Sequence, residues 1–391
     1  MEVMVETCCG IDVHQKSIVC CILDGPLDTN KPKKQHRTFG TTTKKLREAL
    51  AWIQSQNVTH VFFESTGQYW IPIFNIFYDS NLTLILANPQ HIKNLPGKKT
   101  DMNDAEWIAQ LGRCGLIHPS YIPCEEVQQL RLLTRRRKAY TERITQYKNE
   151  NHNILQRANI KLTSYLSDIY GITGITLLEM FIDGEVITEQ TILPKIHGKV
   201  KATAAELVEA MDGKLSFEDR FLLGQSLEHY RHSVNQVEEI TVVIKQYVLE
   251  RFEREYNLLI ELPGVSAIVA CVILSEIGPN VEAFKSQGNL ASWAGVCPGS
   301  YESAGIKKSS HTTQGNKYLK SILFQAGGTA GRSKDEAFHN LYARISGRSS
   351  KMKAIIACAH KMIRVIYKIL STGEHYDAKK ALGLRQQARA I

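Results

Sequence analysis

The chain has 391 residues, 43% of them hydrophobic, and a formal net charge of +9. That length predicts two or three cored units, and no apolar run approaches a membrane span. The positive balance suits a polyanionic partner. The start, Met1-Glu2-Val3-Met4-Val5-Glu6, lacks the basic opening of a secretory signal. Nine cysteines without CxxC spacing read as reduced, buried thiols of a cytosolic protein, neither a zinc site nor a disulfide frame.

From about residue 5 to 118 the pattern alternates between strands and helices. Apolar stretches Thr7–Val13 and Ser17–Leu23 flank a short turn, and Gln35–Thr41 reads as a third, more polar strand. A helix over Lys44–Gln54, strand His60–Glu64, helix Trp70–Asp79, strand Thr83–Ala87 and helix Asp101–Cys114 follow. Three early strands, then strand and helix in alternation, is the order of a ribonuclease H-like fold. In that fold the first and fourth strands carry acids side by side. Here Asp12 and Glu64 sit at the ends of those two strands, and Asp101 and Asp104 share one face at the start of a helix. Clustered carboxylates are costly without a compensating cation. Their hard oxygens suit Mg²⁺ or Mn²⁺ and two-metal phosphodiester chemistry. The bland alternative is strand-end hydrogen bonding or helix capping, which explains one such acid more easily than four.

From Val127 to about Leu162, Leu130, Leu133, Tyr140, Ile144, Tyr147, Ile154 and Leu155 recur at near-heptad spacing among basic residues. A second long helix, Phe217–Tyr256, carries a matching stripe, so the two predict an antiparallel coiled coil around a mixed helical insert at about 163–215. The run Arg135-Arg136-Arg137-Lys138 is either a solvated face or a contact to nucleic-acid backbone, and the chain's charge favours the second. Further on, Leu262-Pro263-Gly264-Val265-Ser266 before an apolar helix is either an ordinary Pro-Gly helical turn or a helix-hairpin-helix, in which backbone amides at Gly264 would grip a phosphate. A polar loop then holds Ser303 between Glu302 and Ala304-Gly305. Lys307, Lys308, Lys317 and Lys320 around it are candidate phosphate clamps. The sequence offers Ser303 no identifiable His or Asp partner, so residue type alone leaves it a loop serine.

Gly10-Ile11-Asp12-Val13-His14, Glu64-Ser65-Thr66-Gly67 and Lys99-Thr100-Asp101-Met102-Asn103-Asp104-Ala105 closely resemble the N-terminal domain of DEDD-type insertion-sequence transposases, the IS110 family, a group that includes pilin-gene invertases. The hairpin-like turn and Glu302-Ser303-Ala304-Gly305 are similar to that family's C-terminal domain. The resemblance spans essentially the whole chain. It implies a RuvC-like nuclease domain (1–125), a basic coiled coil with its insert (126–256) and a mainly helical transposase domain carrying the serine loop (257–391). It further implies that Asp12, Glu64, Asp101 and Asp104 hold Mg²⁺, and that Ser303 forms a phosphoserine link to DNA. A structured bridge RNA, pairing with donor and target DNA, is the implied guide. The expected assembly is a homo-oligomer, a dimer building to a synaptic tetramer in which one subunit's serine serves another's tetrad. The expected location is the prokaryotic cytoplasm, at the nucleoid and away from membranes. Departures are His311 and Lys320 where arginine is usual, and Gln314 where a basic residue is usual. Lys in place of Arg loses a bidentate fork on phosphate.

Three rivals remain. A RuvC-like nuclease or junction resolvase would hydrolyse DNA with Ser303 structural. An actin-like ATPase or sugar kinase also opens on Gly-Ile-Asp, but the sequence lacks a second glycine-rich phosphate turn. A catalytically silent nucleic-acid-binding protein would have no use for an intact tetrad.

Overall fold

The computed structural model describes residues 3–28, 31–65, 67–94, 104–299, 301–303, 306–309 and 311–383. The chain divides into two compact units, Met1–Ile122 and Pro123–Ile391.

The first unit opens with β1 (Thr7–Val13), β2 (Ser17–Asp24) and β3 (Lys33–Gly40), paired antiparallel in succession. Helix α1 (Thr43–Ser55) returns the chain so that β4 (His60–Glu64) lies parallel to β1. Helix α2 (Trp70–Phe77) then feeds β5 (Thr83–Ala87), parallel to β4. The sheet order is β3-β2-β1-β4-β5, and α3 (Pro89–Asn94) and α4 (Asp104–Arg113) follow. β1 and β4 read as unbroken apolar runs because both their faces are covered. Ile11, Val13, Val61 and Phe63 pack with α1 and α2 on one side. On the other, Cys8 and Phe62 pack with Ala105, Ile108 and Leu111 of α4.

Gly10 is where α4 crosses β1. A Cβ there would stand 2.2 Å from the Ala105 carbonyl oxygen and 2.4 Å from the Ala109 nitrogen, so only glycine admits the helix this close. The far end of α4 is fixed as Met4 N and Val5 N donate to the Arg113 carbonyl at 2.8 and 3.2 Å. Helix α4 therefore runs opposite to β1, with its first residue at the end of β1 that carries Asp12.

Among its described residues, the regular structure of the second unit is helical apart from one pair of short strands. Helix α5 (Glu125–Arg157) leads to α6 (Leu162–Tyr165), α7 (Ile172–Asp183), α8 (Glu189–Ile192), a 3₁₀ turn (Leu193–Lys195) and α9 (Ala204–Ala210), then to α10 (Phe217–Ile260). The insert has its own core, with Leu155, Leu162, Leu177, Leu207 and Leu223 in it. Ser216 caps α10 in a capping box with Asp219. Cross-contacts descend α10 as they climb α5: Gln129 with Tyr247, Arg137 with Thr241, Tyr147 with His229, Arg157 with Asp219. The two long helices are thus an antiparallel pair. Their buried residues lie towards the ends, and no α5 residue between Thr134 and Asn151 is buried. Along the middle, Ile144, Tyr147, Val237 and Ile240 are half-buried, beside the Arg137–Thr241 hydrogen bond and the Tyr147–His229 ring contact.

The remainder comprises α11 (Ala267–Ile277), α12 (Gln287–Trp293), the β6 (Tyr301–Ser303) and β7 (Ile306–Ser309) hairpin, α13 (Lys317–Gly331), α14 (Glu336–Arg348), α15 (Lys351–Thr372) and α16 (Ala378–Gly383). All nine cysteines are free thiols; the four in β1 and β2 are buried as expected, while Cys124 is exposed. Among the described residues no helix is long and apolar enough to cross a membrane.

Candidate active site

Parallel pairing sets the two strand acids side by side. Ile11 is paired with Phe63, and the next residue of each strand is Asp12 and Glu64. Alternation turns Asp12 to the same face as Cys8, and Glu64 to the same face as Phe62. That is the α4 face, and Asp104 opens α4 at this edge. The C-terminal ends of parallel strands are where open α/β sheets place their ligands. Asp101 lies outside the described residues.

Asp12 keeps 22% of its side chain exposed, and its Oδ2 stands 3.1 Å from His14 Nε2. His14 has no role assigned by the sequence motif that contains it, although its place two residues beyond Asp12 is a usable signal. Glu106, two residues into α4 from Asp104, turns elsewhere: it is buried and paired with Lys34 and His36 from β3. The donors at this edge are of the hard type that Mg²⁺ or Mn²⁺ takes. Among the described residues, however, no group of three or more His, Cys, Asp or Glu is close enough to hold a metal ion.

In the second unit the expected polar loop is a tight hairpin. Ser303 pairs with Ile306, and Glu302 with Lys307; Lys308 follows in β7. Its stem continues below through the Pro298–Thr312 bridge, Gly299 N donating to His311 O at 2.8 Å, and Thr313 N donating to Cys297 O at 3.1 Å. Lys320 braces that stem, its Nζ donating to Thr312 Oγ1 at 2.6 Å. Lys317 Nζ lies 5.2 Å from the centre of the Tyr318 ring.

The basic run on α5 is divided in its tasks. Arg135 donates from Nε and Nη2 to the two carboxylate oxygens of Glu276, at 3.0 and 2.9 Å, and lies 4.2 Å over the Tyr318 ring. Arg137 donates from Nε to Thr241 Oγ1 at 2.6 Å, and burial pulls its pKa below the usual guanidinium value. Arg136 is exposed, 6.0 Å from the Tyr140 ring. Lys138 faces Glu142 and Tyr318. Gly264 adopts φ +80°, and a Cβ on it would stand 2.4 Å from the Ala326 carbonyl oxygen, so the Pro-Gly turn is pressed on α13.

Glu276 was missed altogether. It is fully buried, with Arg131, Arg135 and Asn316 around it. The signal was present as one carboxylate near the end of the otherwise apolar stretch Ala267–Ile277. Such an acid must find compensating donors.

Residues 9–160 match a transposase family model of the DEDD IS110 type, and residues 256–343 match the model described as transposase, IS116/IS110/IS902 family. Together these matches cover more than half of the chain, which belongs to that family. A Sinorhizobium fredii protein named "Putative transposase y4pF/y4sB" is 31% identical over 157 residues. That match takes in 38% of this chain and only 39% of the relative's length. A Thermus thermophilus RuvC structure covers 29% of this chain and 99% of its own, at 11% identity. Its TM-score is 0.23, so it carries no argument, and the fold rests on strand order and register.

Proposed function

We propose that this chain is a DNA transposase that cuts and rejoins strands through a covalent phosphoserine intermediate. The observation that carries the reading is that Asp12 and Glu64 each follow the Ile11–Phe63 pair and fall on the α4 face, where Asp104 opens its helix. Ribonuclease H-like nucleases need acids on those elements. Asp12, Glu64, Asp101 and Asp104 are the residues that would hold Mg²⁺. When bound there, the ion supplies charge stabilisation at the phosphate.

In this reading Ser303 Oγ loses its proton and attacks phosphorus. One phosphorus–oxygen ester bond forms to the serine, one breaks to the departing strand, and the leaving oxygen takes up a proton. Because ester bonds are exchanged rather than hydrolysed, a strand hydroxyl can reverse the step and release the serine. Lys307 and Lys308 lie on the strand paired with that of Ser303 and are the candidate phosphate clamps of this reading. Arg136 is the exposed cation of its run and contributes backbone affinity. A structured bridge RNA would supply sequence recognition by pairing. A tetramer, four serines for the four strands of two duplexes, would complete the exchange.

Covalent trapping tests the proposal with full-length protein, Mg²⁺, the noncoding RNA flanking the gene and nicked donor DNA. A denaturant-resistant protein–DNA adduct, lost in both Ser303→Ala and Asp12→Ala, is the expected result. Cleavage without an adduct, indifferent to Ser303→Ala and abolished by Asp12→Ala, would make the chain a RuvC-like hydrolase.

A further inference from the structure

We propose that Glu276 is a positioning residue that sets the Ser303 hairpin through Asn316; the functional part rests on Ser303 being the nucleophile. Glu276 Oε2 accepts from Asn316 Nδ2 at 2.7 Å as well as from Arg135. The same asparagine caps α13, its Oδ1 accepting from Tyr318 N and Leu319 N at 3.0 Å each. Its own backbone N donates to Trp293 O at 2.9 Å. Asn316 is therefore tied to α11, to α12 and to α13 at once.

An asparagine cap alone leaves its amide NH₂ group to water. Here a carboxylate with no solvent exposure takes that NH₂, which fixes the amide's orientation and the φ/ψ of the residue that starts α13. Three residues upstream, Thr313 forms a rung of the hairpin stem, and Lys320 reaches back from α13 to Thr312. A shift of the cap is passed to both sides of that rung. Arg131 and Arg135 neutralise Glu276 so that it can remain buried, and Arg131 also holds the α11 backbone, donating to Ser275 O at 3.0 Å and Glu276 O at 2.7 Å. The basic helix α5 thus serves the serine hairpin as a brace, in addition to any contact with nucleic acid.

Two variants separate this role from folding. Asn316→Ser keeps a good N-cap and deletes only the tether to Glu276. Glu276→Gln keeps the shape and removes the charge. In single-turnover trapping with nicked donor DNA, both should slow adduct formation about ten- to a hundredfold, the scale of a small misplacement of a reacting group. DNA affinity should not change, and amide exchange at Gly299 and Thr313 should quicken. Wild-type adduct rate and wild-type exchange in Asn316→Ser would overturn the inference, whether or not Glu276→Gln folds. Ser303→Ala runs alongside. If it forms adduct like wild type, or no adduct forms at all, the nucleophile reading fails and exchange at the stem decides the tether: faster exchange supports it, unchanged exchange overturns it.

Discussion

Asp12 keeps 22% of its side chain in solvent with one histidine beside it, whereas Glu276 has no exposure and shares two arginines and an asparagine. Both are acids set among apolar residues, and their partners show the difference in use. A buried carboxylate whose lone pairs are met by fixed donors is committed to structure. A strand-end carboxylate on a crevice face, beside a second one, can still take a ligand. The contrast warns against reading charge runs by sign alone. Arg135 belongs to the most basic stretch of the chain, yet its guanidinium is occupied by Glu276.

The sharpest way to break this contrast is to remove each acid in turn. Asp12→Ala should lower strand cleavage by at least about a hundredfold, comparable to loss of a charge-stabilising group at a reacting phosphate. Its unfolding midpoint should stay near wild type, because the ion pair it loses is with the exposed His14. Glu276→Ala should do the reverse in stability. It takes the carboxylate away from Arg131, Arg135 and Asn316 and should cost about 3 kcal/mol, at the low end for a broken buried pair since Arg135 is 37% exposed and Arg131 keeps its bonds to the α11 backbone. Urea unfolding of the full chain measures it. Equal stability losses in the two variants would erase the distinction.

The strands and the order of elements were legible because their apolar runs are bounded by turns and both faces of the sheet are covered. β3 was placed two residues late. Its beginning is polar and exposed, and only its pairing with β2, down to Lys33 opposite Asp24, extends it. The two strand acids were legible from residue type and position. Glu276 was not, because it lies 141 residues from Arg135, and no local pattern joins them. The hairpin was read as a loop since β6 and β7 are only three and four residues long, and their polar sequence shows no alternation.

A smaller effect sharpens the account of the acidic face. Gly10→Ala forces a methyl group against the α4 backbone and should cost about 2 kcal/mol as overpacking. Because α4 begins with Asp104, the displacement should also lower cleavage. Thermal unfolding and the cleavage assay report the two losses. A stable and fully active Gly10→Ala would mean that α4 can move off β1 without harm to the site.

The same layer responds to alkaline pH. Burial pushes the Cys8 and Cys21 thiols up to about 12 from 9.0. Between those values the unfolded chain releases protons that the folded one retains, so stability is whole below pH 9 and falls as pH rises towards 12. Unfolding midpoints at pH 8 and pH 9.5 should differ in that direction, and Cys8→Ala, Cys21→Ala should reduce the slope.

The smallest stability effect is the most discriminating for the second unit. Asn316 does two things, capping α13 with Oδ1 and feeding Glu276 with Nδ2. Serine can do only the first and alanine neither. Asn316→Ser should therefore cost about 1.5 kcal/mol, the scale of one hydrogen bond to a charged group, and Asn316→Ala about 1 kcal/mol more for the lost cap. If the two variants unfold alike, the cap contributes little and Glu276 is the main restraint. If they differ as expected, a loss of adduct rate in Asn316→Ser has no large folding defect behind it, and belongs to the geometry of the hairpin stem.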